Sequence, residues 1–415
     1  MKPLLIKNIK KLVSASQSAP QKVAGKQMKQ LSSIDNAYLL IADHKISEFG
    51  PMDQIPSISD AEVMDASGRF VLPAWCDSHT HLVFPETREI EYTDKIKGLS
   101  YEEIAKRGGG ILNSAKRMQE ASEEQLYNDA SKRLKEIMSY GTGAVEIKSG
   151  YGLNTESELK MLRVIKKLKE ESPVTIRSTF LGAHAVPPEF KSNPDKYVDL
   201  VINEMLPEVG KENLADFVDV FCDRGFFSVD QTSRILEAAQ KYGLRPKIHA
   251  NELDFSGGIQ TGVKYNALSV DHLEFTGDEE IKALKDSDTM PVILPGAAFF
   301  LNLKYAPARE IIDAGLPLTL ATDFNPGSSP SGNMQLIISM GSILYKMLPE
   351  ETINAVTING AYAMGLQHEL GTITPGKKAN LIITKPIPSV EYIPYAYGEN
   401  KVEMTILNGR IVYSG

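Results

Sequence analysis

Eight short apolar runs recur between residues 69 and 327, most of them separated by helical patterns. They read RFVLPAWCDSHTH, GAVEIKSGYG, VTIRSTFLGAH, FVDVFCDRG, RPKIHANE, ALSVDHLE, MPVILPGA and LPLTLATDFNPG. Stretches such as Glu156 to Glu171 and Ser228 to Tyr242 carry apolar residues at helical spacing. A repeated strand–helix alternation forces a parallel sheet, because each crossover needs a helix to return the chain. Eight such units, with no glycine-rich phosphate turn, favour a closed (β/α)8 barrel over a doubly wound open sheet.

The two ends of the chain behave differently. Up to about Asp65, and again in GTITPGKKANLIITKP and VEMTILNGRIVYSG, strands alternate without helices, and Asn408-Gly409 is a hairpin signal. The expected architecture is therefore a TIM-like barrel over residues 69–368. A small β-sandwich built from both termini, residues 1–68 and 369–415, would sit beside it.

In such barrels catalytic groups stand at the C-terminal ends of the strands. Five of the seven histidines fall there: His79 and His81 on the first strand, His184 on the third, His249 on the fifth and His272 on the sixth. Asp323 ends the eighth. Side chains two apart on a strand point the same way, so His79 and His81 can face one ion. An accidental His-x-His has odds of roughly one in eight in a chain of this composition, which makes the pair alone a weak signal. His249 and Asp323 supply the context, completing three nitrogens and one carboxylate, an open shell of the kind used by catalytic zinc and related metals.

Glu252, three residues after His249 in HANE, is placed on the loop above that centre to shuttle a proton. His272 is a candidate for polarising the substrate, and Arg88 and Tyr151 follow the first and second strands within reach of the mouth. Arginine grips carboxylates bidentately, so Arg88 hints at an anionic substrate; its bland alternative is a surface charge paired with a nearby glutamate. Gly108 to Gly110 in RGGGIL would hinge a lid or form a plain turn. His44 and His368 are expected at the surface, and Cys222 in the core with no base beside it.

The combination HTH, HANE, DHLE and ATDFNPGSSP resembles the amidohydrolase superfamily, and the flanking β segments resemble its composite terminal sandwich. More narrowly, ETRE, IKSGYGL, TFLGAHAVP, HANE and TDFNPGSSP resemble the imidazolonepropionase family over nearly the whole chain. The resemblance implies one zinc or iron ion held by His79, His81, His249 and Asp323. It implies hydrolysis of 4-imidazolone-5-propanoate to N-formimino-L-glutamate. From their places at the strand ends, Glu252, His272 and Asp323 are the expected catalytic groups, with an ion-activated water attacking the ring carbonyl. Substrate contacts carried over by position are Arg88, Tyr151, His184, Glu252, Asn325, Gly327 and Ser328. At the last of these the family more usually has threonine, and serine keeps the hydroxyl. Two-metal relatives bridge their ions with a carboxylated lysine on the fourth strand; FVDVFCDRG offers none, so a single metal is expected.

A net charge of −8 and a pI near 5.6, with scattered lysines and arginines, exclude a nucleic-acid track. No window reaches the apolar length of a bilayer span, and the opening MKPLLIKNIKKLVSAS lacks the apolar run of a secretion signal. Two cysteines in apolar segments read as free thiols, so a cytoplasmic protein with a small anionic substrate is expected, as a homodimer by default. The rival readings are a single-metal nucleobase deaminase, with less use for Arg88, a cyclic-imide hydrolase, and a non-catalytic scaffold.

Overall fold

A computed structural model describes residues 2–58, 60–99, 103 and 110–415. Gly108 and Gly109 of the suggested lid hinge lie outside the described residues, whereas Gly110 precedes helix Ile111–Glu120 with φ 85°.

The N-terminal part contributes five strands to one sheet: β1 (Leu4–Val13), β2 (Ser33–Ala42), β3 (Lys45–Pro51), β4 (Glu62–Asp65) and β5 (Phe70–Pro73). The barrel follows with β6 (Trp75–Asp77), β7 (Thr142–Lys148), β8 (Thr175–Ala183), β9 (Phe217–Cys222), β10 (Arg245–Ala250), β11 (Ser269–His272), β12 (Met290–Ile293) and β13 (Thr319–Leu320). The C-terminal part returns to the first sheet as β14 (Leu381–Thr384), β15 (Val402–Leu407) and β16 (Arg410–Ser414).

The first sheet runs β16-β15-β14-β5-β1-β2-β3, with β4 beside β1. Period-two alternation divides its two faces. Val71, Leu381, Ile383 and Ile406 join Ile6, Leu39 and Phe49 in a core of the sheet's own. The intervening Phe70, Leu72, Ile382 and Leu407 belong instead to the core cluster of the barrel. The Asn408-Gly409 turn between β15 and β16 has φ 50° and 71°, the left-handed pair that a tight two-residue hairpin demands.

The segment RFVLPAWCDSHTH, which reads as one strand, serves two sheets. The Ala74 amide bonds to Asn380 O, while the next amide, Trp75, bonds to Gly141 O in the barrel. Pro73, which has no N–H to donate, stands at the switch.

The parallel strands β6 to β13 stand in sequence order, and strands such as β7 and β9 are buried on both faces, as the near-continuous apolar runs required. The first and last strands close the ring beyond their formal ends. Thr80 bridges Phe324, the Asp323 amide bonds to His79 O (3.0 Å), and the His81 amide bonds to Phe324 O (2.9 Å). The buried Asp77 carboxylate reinforces the seam by accepting from the Thr322 amide (3.0 Å) and hydroxyl (2.6 Å). His79 and His81 are therefore not floating after a strand; a ladder to the eighth strand holds them. Among the described residues no helix is long and apolar enough to cross a membrane.

Candidate metal centre and substrate pocket

Ring closure brings the C-terminal ends of β6, β10, β11 and the chain after β13 together. His79, His81 and His249, all buried, offer nitrogens within 4.8 Å of one another. Asp323 Oδ1 lies 3.6 Å from Nε2 of both His79 and His81. The rings of His272 and His184 join the group, at 5.2 Å from His249 and 5.1 Å from His81, the latter stacked at 15°. All five strand-end histidines thus meet.

Among the described residues several of their nitrogens have no partner. His79 Nε2 and His249 Nε2 are buried without a hydrogen bond, an arrangement that costs free energy unless something else uses the lone pairs. Burial, with Lys148 and the neighbouring imidazoles next in order, holds His79 well below its ordinary range; burial and His184 do the same for His81. Neutral imidazoles with free lone pairs are what a metal ion requires. Burial and then Glu252 push the Asp323 carboxyl well above the carboxylate range, a cost that a cation in the cluster would offset. The donor set fits a metal ion.

Two carboxylates that single residues in the sequence did not announce lie against this set. Asp271 Oδ2 lies 2.6 Å from His79 Nδ1; an ionised carboxylate only accepts, so the proton sits on Nδ1 and the lone pair on Nε2. Asp219 Oδ2 lies 3.0 Å from His249 Nδ1, and its other oxygen accepts the His249 amide. Beneath them lies a buried ionic lattice. Lys148 Nζ donates to Glu146 (2.6 Å) and Asp219 (2.7 Å) and stands 3.7 Å from Asp271. Lys247 Nζ donates to Ser78 O (2.9 Å) and to Glu146. β9 carries no lysine, and the interior lysines stand on β7 and β10, both engaged by carboxylates.

The loops above are fixed by further acids. Asp223 Oδ2 accepts the amides of Glu252 (2.7 Å) and Leu253 (2.8 Å), setting the turn that carries Glu252. Glu158 accepts the amides of Gly150, Gly152 and Leu153, which anchors the loop bearing Tyr151. Tyr151 is buried with its ring 5.8 Å from His81 and 5.6 Å from His184. Glu252 Oε2 approaches His272 Nδ1 to 3.6 Å, and Glu274 Oε2 approaches the same nitrogen to 3.9 Å. Burial, with Asp223 second, pushes the Glu252 carboxyl up to about 8. His272, Leu273 and Asp323 have φ of 87°, 71° and 52°, each costing roughly 1–3 kcal/mol for a residue with a Cβ. Such strain collects where side-chain direction matters more than stability.

In the last loop Asn325 is the organiser. Its amide donates to Asp323 O and Ser328 Oγ (2.7 Å each), while its carbonyl accepts the amides of Gly327 and Ser328 (2.8 Å each). Ser328 Oγ reaches Asp323 Oδ2 at 3.4 Å. A Cβ on Gly327 would stand 2.2 Å from Arg88 Nη1, so Arg88 packs over this loop. Arg88 also pairs with Glu91, through Nε at 2.7 Å. Arg88 thus bonds a nearby glutamate, as its bland alternative has it, but from a largely buried position beside the last loop. His44 and His368 are exposed, and Cys76 and Cys222 are buried free thiols.

Residues 70–412 match the model of the amidohydrolase family. A protein of Christiangramia forsetii called imidazolonepropionase is 56% identical over 409 residues, covering 99% of this chain and 100% of the relative. Imidazolonepropionases of Flavobacterium johnsoniae and Geobacillus kaustophilus are 58% and 45% identical, covering 98% and 99% of this chain and 99% and 98% of theirs. The chain belongs to the imidazolonepropionase family of amidohydrolases. Among solved structures, E. coli guanine deaminase superposes with a TM-score of 0.75 at 14% identity, each chain fully covered. A triazine hydrolase gives 0.74 at 14% identity, covering 100% of this chain and 95% of its own. At that distance a likeness speaks for the fold alone. The nucleobase-deaminase alternative therefore gains nothing from its structural neighbour, while the imidazolonepropionase relatives match across the whole chain.

Proposed function

We propose that this chain is a metal-dependent hydrolase that opens the lactam C–N bond of 4-imidazolone-5-propanoate, giving N-formimino-L-glutamate in histidine degradation. The observation that carries the reading is the convergence of His79, His81 and His249 within 4.8 Å, with Asp323 3.6 Å from two of them. It occurs in a chain more than half identical to imidazolonepropionases over their whole length. These four residues would hold one ion, zinc or iron, both of which accept three imidazoles and a carboxylate. When bound, such an ion supplies Lewis acidity, making water a nucleophile near neutral pH and polarising a carbonyl.

The chain's own residues do the rest. Asp323, beside the cluster, orients the attacking water and takes its proton. His272 stabilises the oxyanion that develops as water adds to the ring carbonyl carbon. Glu252, whose carboxyl burial and then Asp223 push upward in the metal-free chain, gives its proton to the ring nitrogen as the C–N bond breaks. Arg88 binds the propionate carboxylate, with Tyr151 and His184 walling the ring and Asn325, Gly327 and Ser328 shaping the last loop. The protein is read as cytoplasmic and homodimeric, with no role for nucleic acid or membrane.

The deciding experiment joins elemental analysis of gently purified protein to a turnover assay with imidazolone propionate. Stoichiometric zinc or iron with turnover abolished by chelation is expected. Metal-free protein that kept the full rate would overturn the reading.

A further inference from the structure

We propose that Glu91 is a positioning residue that aims Arg88 at the substrate carboxylate, an inference that rests on the role given to Arg88 above. Arg88 Nε donates to Glu91 Oε2 at 2.7 Å, and Nη2 lies 2.6 Å from the same oxygen. One carboxylate oxygen thus spans one edge of the guanidinium. Among the described residues no acid pairs with the other edge, built from Nη1 and the outer N–H of Nη2, which can receive a second anion bidentately. Nη1 is placed by the last loop, where a Cβ on Gly327 would stand 2.2 Å from it and 2.8 Å from Cζ. Arg88 is therefore seated between two partners, an acid on one side and a bare backbone on the other.

The local sequence explains the pairing. Arg88 is the N-cap of helix Glu89–Ile96, and Glu91 lies three residues on, on the same face. A first-turn carboxylate is favoured by the positive end of the helix. A pair kept only to stabilise a helix has no reason to leave water. Here the side chains are 14% and 12% exposed, and Glu91 Oε1 has no hydrogen-bond partner among the described residues. Glu91 thus tolerates an unfavourable site, which makes sense if its other oxygen has a task.

An acid beside Arg88 has two possible effects on anion binding, and they have opposite signs. As an aiming acceptor it tightens the grip on the substrate carboxylate; as a competing charge it weakens it. Glu91→Ala removes both effects, while Glu91→Gln keeps an acceptor oxygen and removes the charge. On the positioning reading, Glu91→Ala raises KM for imidazolone propionate about tenfold or more, with kcat within about twofold, and Glu91→Gln recovers most of the loss. Binding measured without turnover should agree. By calorimetry, Glu91→Ala should weaken imidazolepropionate and leave 4-ethylimidazole, which lacks the carboxylate, unchanged.

Lower KM in both variants, no change in either, or a fall in kcat at constant KM would each overturn the inference. Should Glu91→Ala not fold, Glu91→Met, which keeps the stem without the acceptor, replaces it under the same criteria. Wild-type protein that neither hydrolyses imidazolone propionate nor prefers imidazolepropionate to ethylimidazole would sink the proposed function itself. Wild-type protein that does both, matched by Glu91→Ala, would sink only the role of Glu91.

Discussion

Asp271 Oδ2 sits 2.6 Å from His79 Nδ1 and decides which nitrogen of that imidazole faces the candidate centre. Asp271 also accepts from Ser269 Oγ at 2.5 Å, so its own position is fixed. Asp271→Asn can turn an amide N–H toward the ring, favouring the tautomer whose lone pair points the wrong way. Zinc affinity, measured by competition with a chromophoric chelator, should fall about 10- to 100-fold while the fold survives. Unchanged affinity would mean that packing alone orients His79.

Lys148 stands among Glu146, Asp219 and Asp271 with no exposure to solvent. Its ammonium is held charged against the cost of burial by Asp219 and Glu146. Removing one member of a buried ionic group leaves the others unpaired, which costs about 3–5 kcal/mol. Lys148→Met should lower the urea midpoint of the metal-free protein by a matching amount. A change under about 1 kcal/mol would show that the three acids repartition their protons freely.

The barrel and the histidine cluster were legible because both rest on period and position: eight strand–helix alternations, and side chains two apart sharing a face. The lattice beneath was legible by the same rule, though less loudly. Glu146 and Lys148, or Lys247 and His249, are also two apart on apolar strands, and a charge there must point into the barrel with a partner. What the sequence withheld was which partner. Asp219 and Asp271 each stand on a different strand from the histidine they orient, and only closure of the ring brings them together. The single strand expected at residues 69–81 proved to be two, because a switch between sheets leaves no mark in hydropathy.

The Glu252 carboxyl, which titrates near 4.5 when exposed, is pushed up to about 8 in the folded chain. Between those values the native state holds a proton that the unfolded chain has released. The contribution of this group to stability is therefore full below about pH 4.5 and is lost as pH rises toward 8. Metal-free wild-type protein should lose up to about 1.4 kcal/mol per pH unit from this source, and Glu252→Gln should not. Parallel denaturant titrations across pH 5 to 8, read with about 0.3 kcal/mol precision, check the difference. Equal slopes would mean that Glu252 is ionised in the fold, and its role as proton donor would fall with them.

Gly327 offers the sharpest separation of binding from folding. Its φ does not require glycine, and the nearest atoms that the Cβ of Gly327→Ala would meet are those of the Arg88 guanidinium, 2.2 Å away at Nη1. The guanidinium can pivot about its bond to Glu91 and give up only its Nη1 edge, so the urea midpoint should move by less than about 1 kcal/mol. Pivoting, however, takes that edge from the carboxylate it is proposed to bind. KM for imidazolone propionate should rise about 10-fold or more, approaching the effect of Arg88→Ala, while metal content stays at the wild-type level. Because hydrogen bonds to a charged group outweigh the small packing change, the two readouts must diverge. If Gly327→Ala instead unfolds the loop and loses metal through Asn325 and Asp323, the glycine is there for the turn and Arg88 is incidental to it.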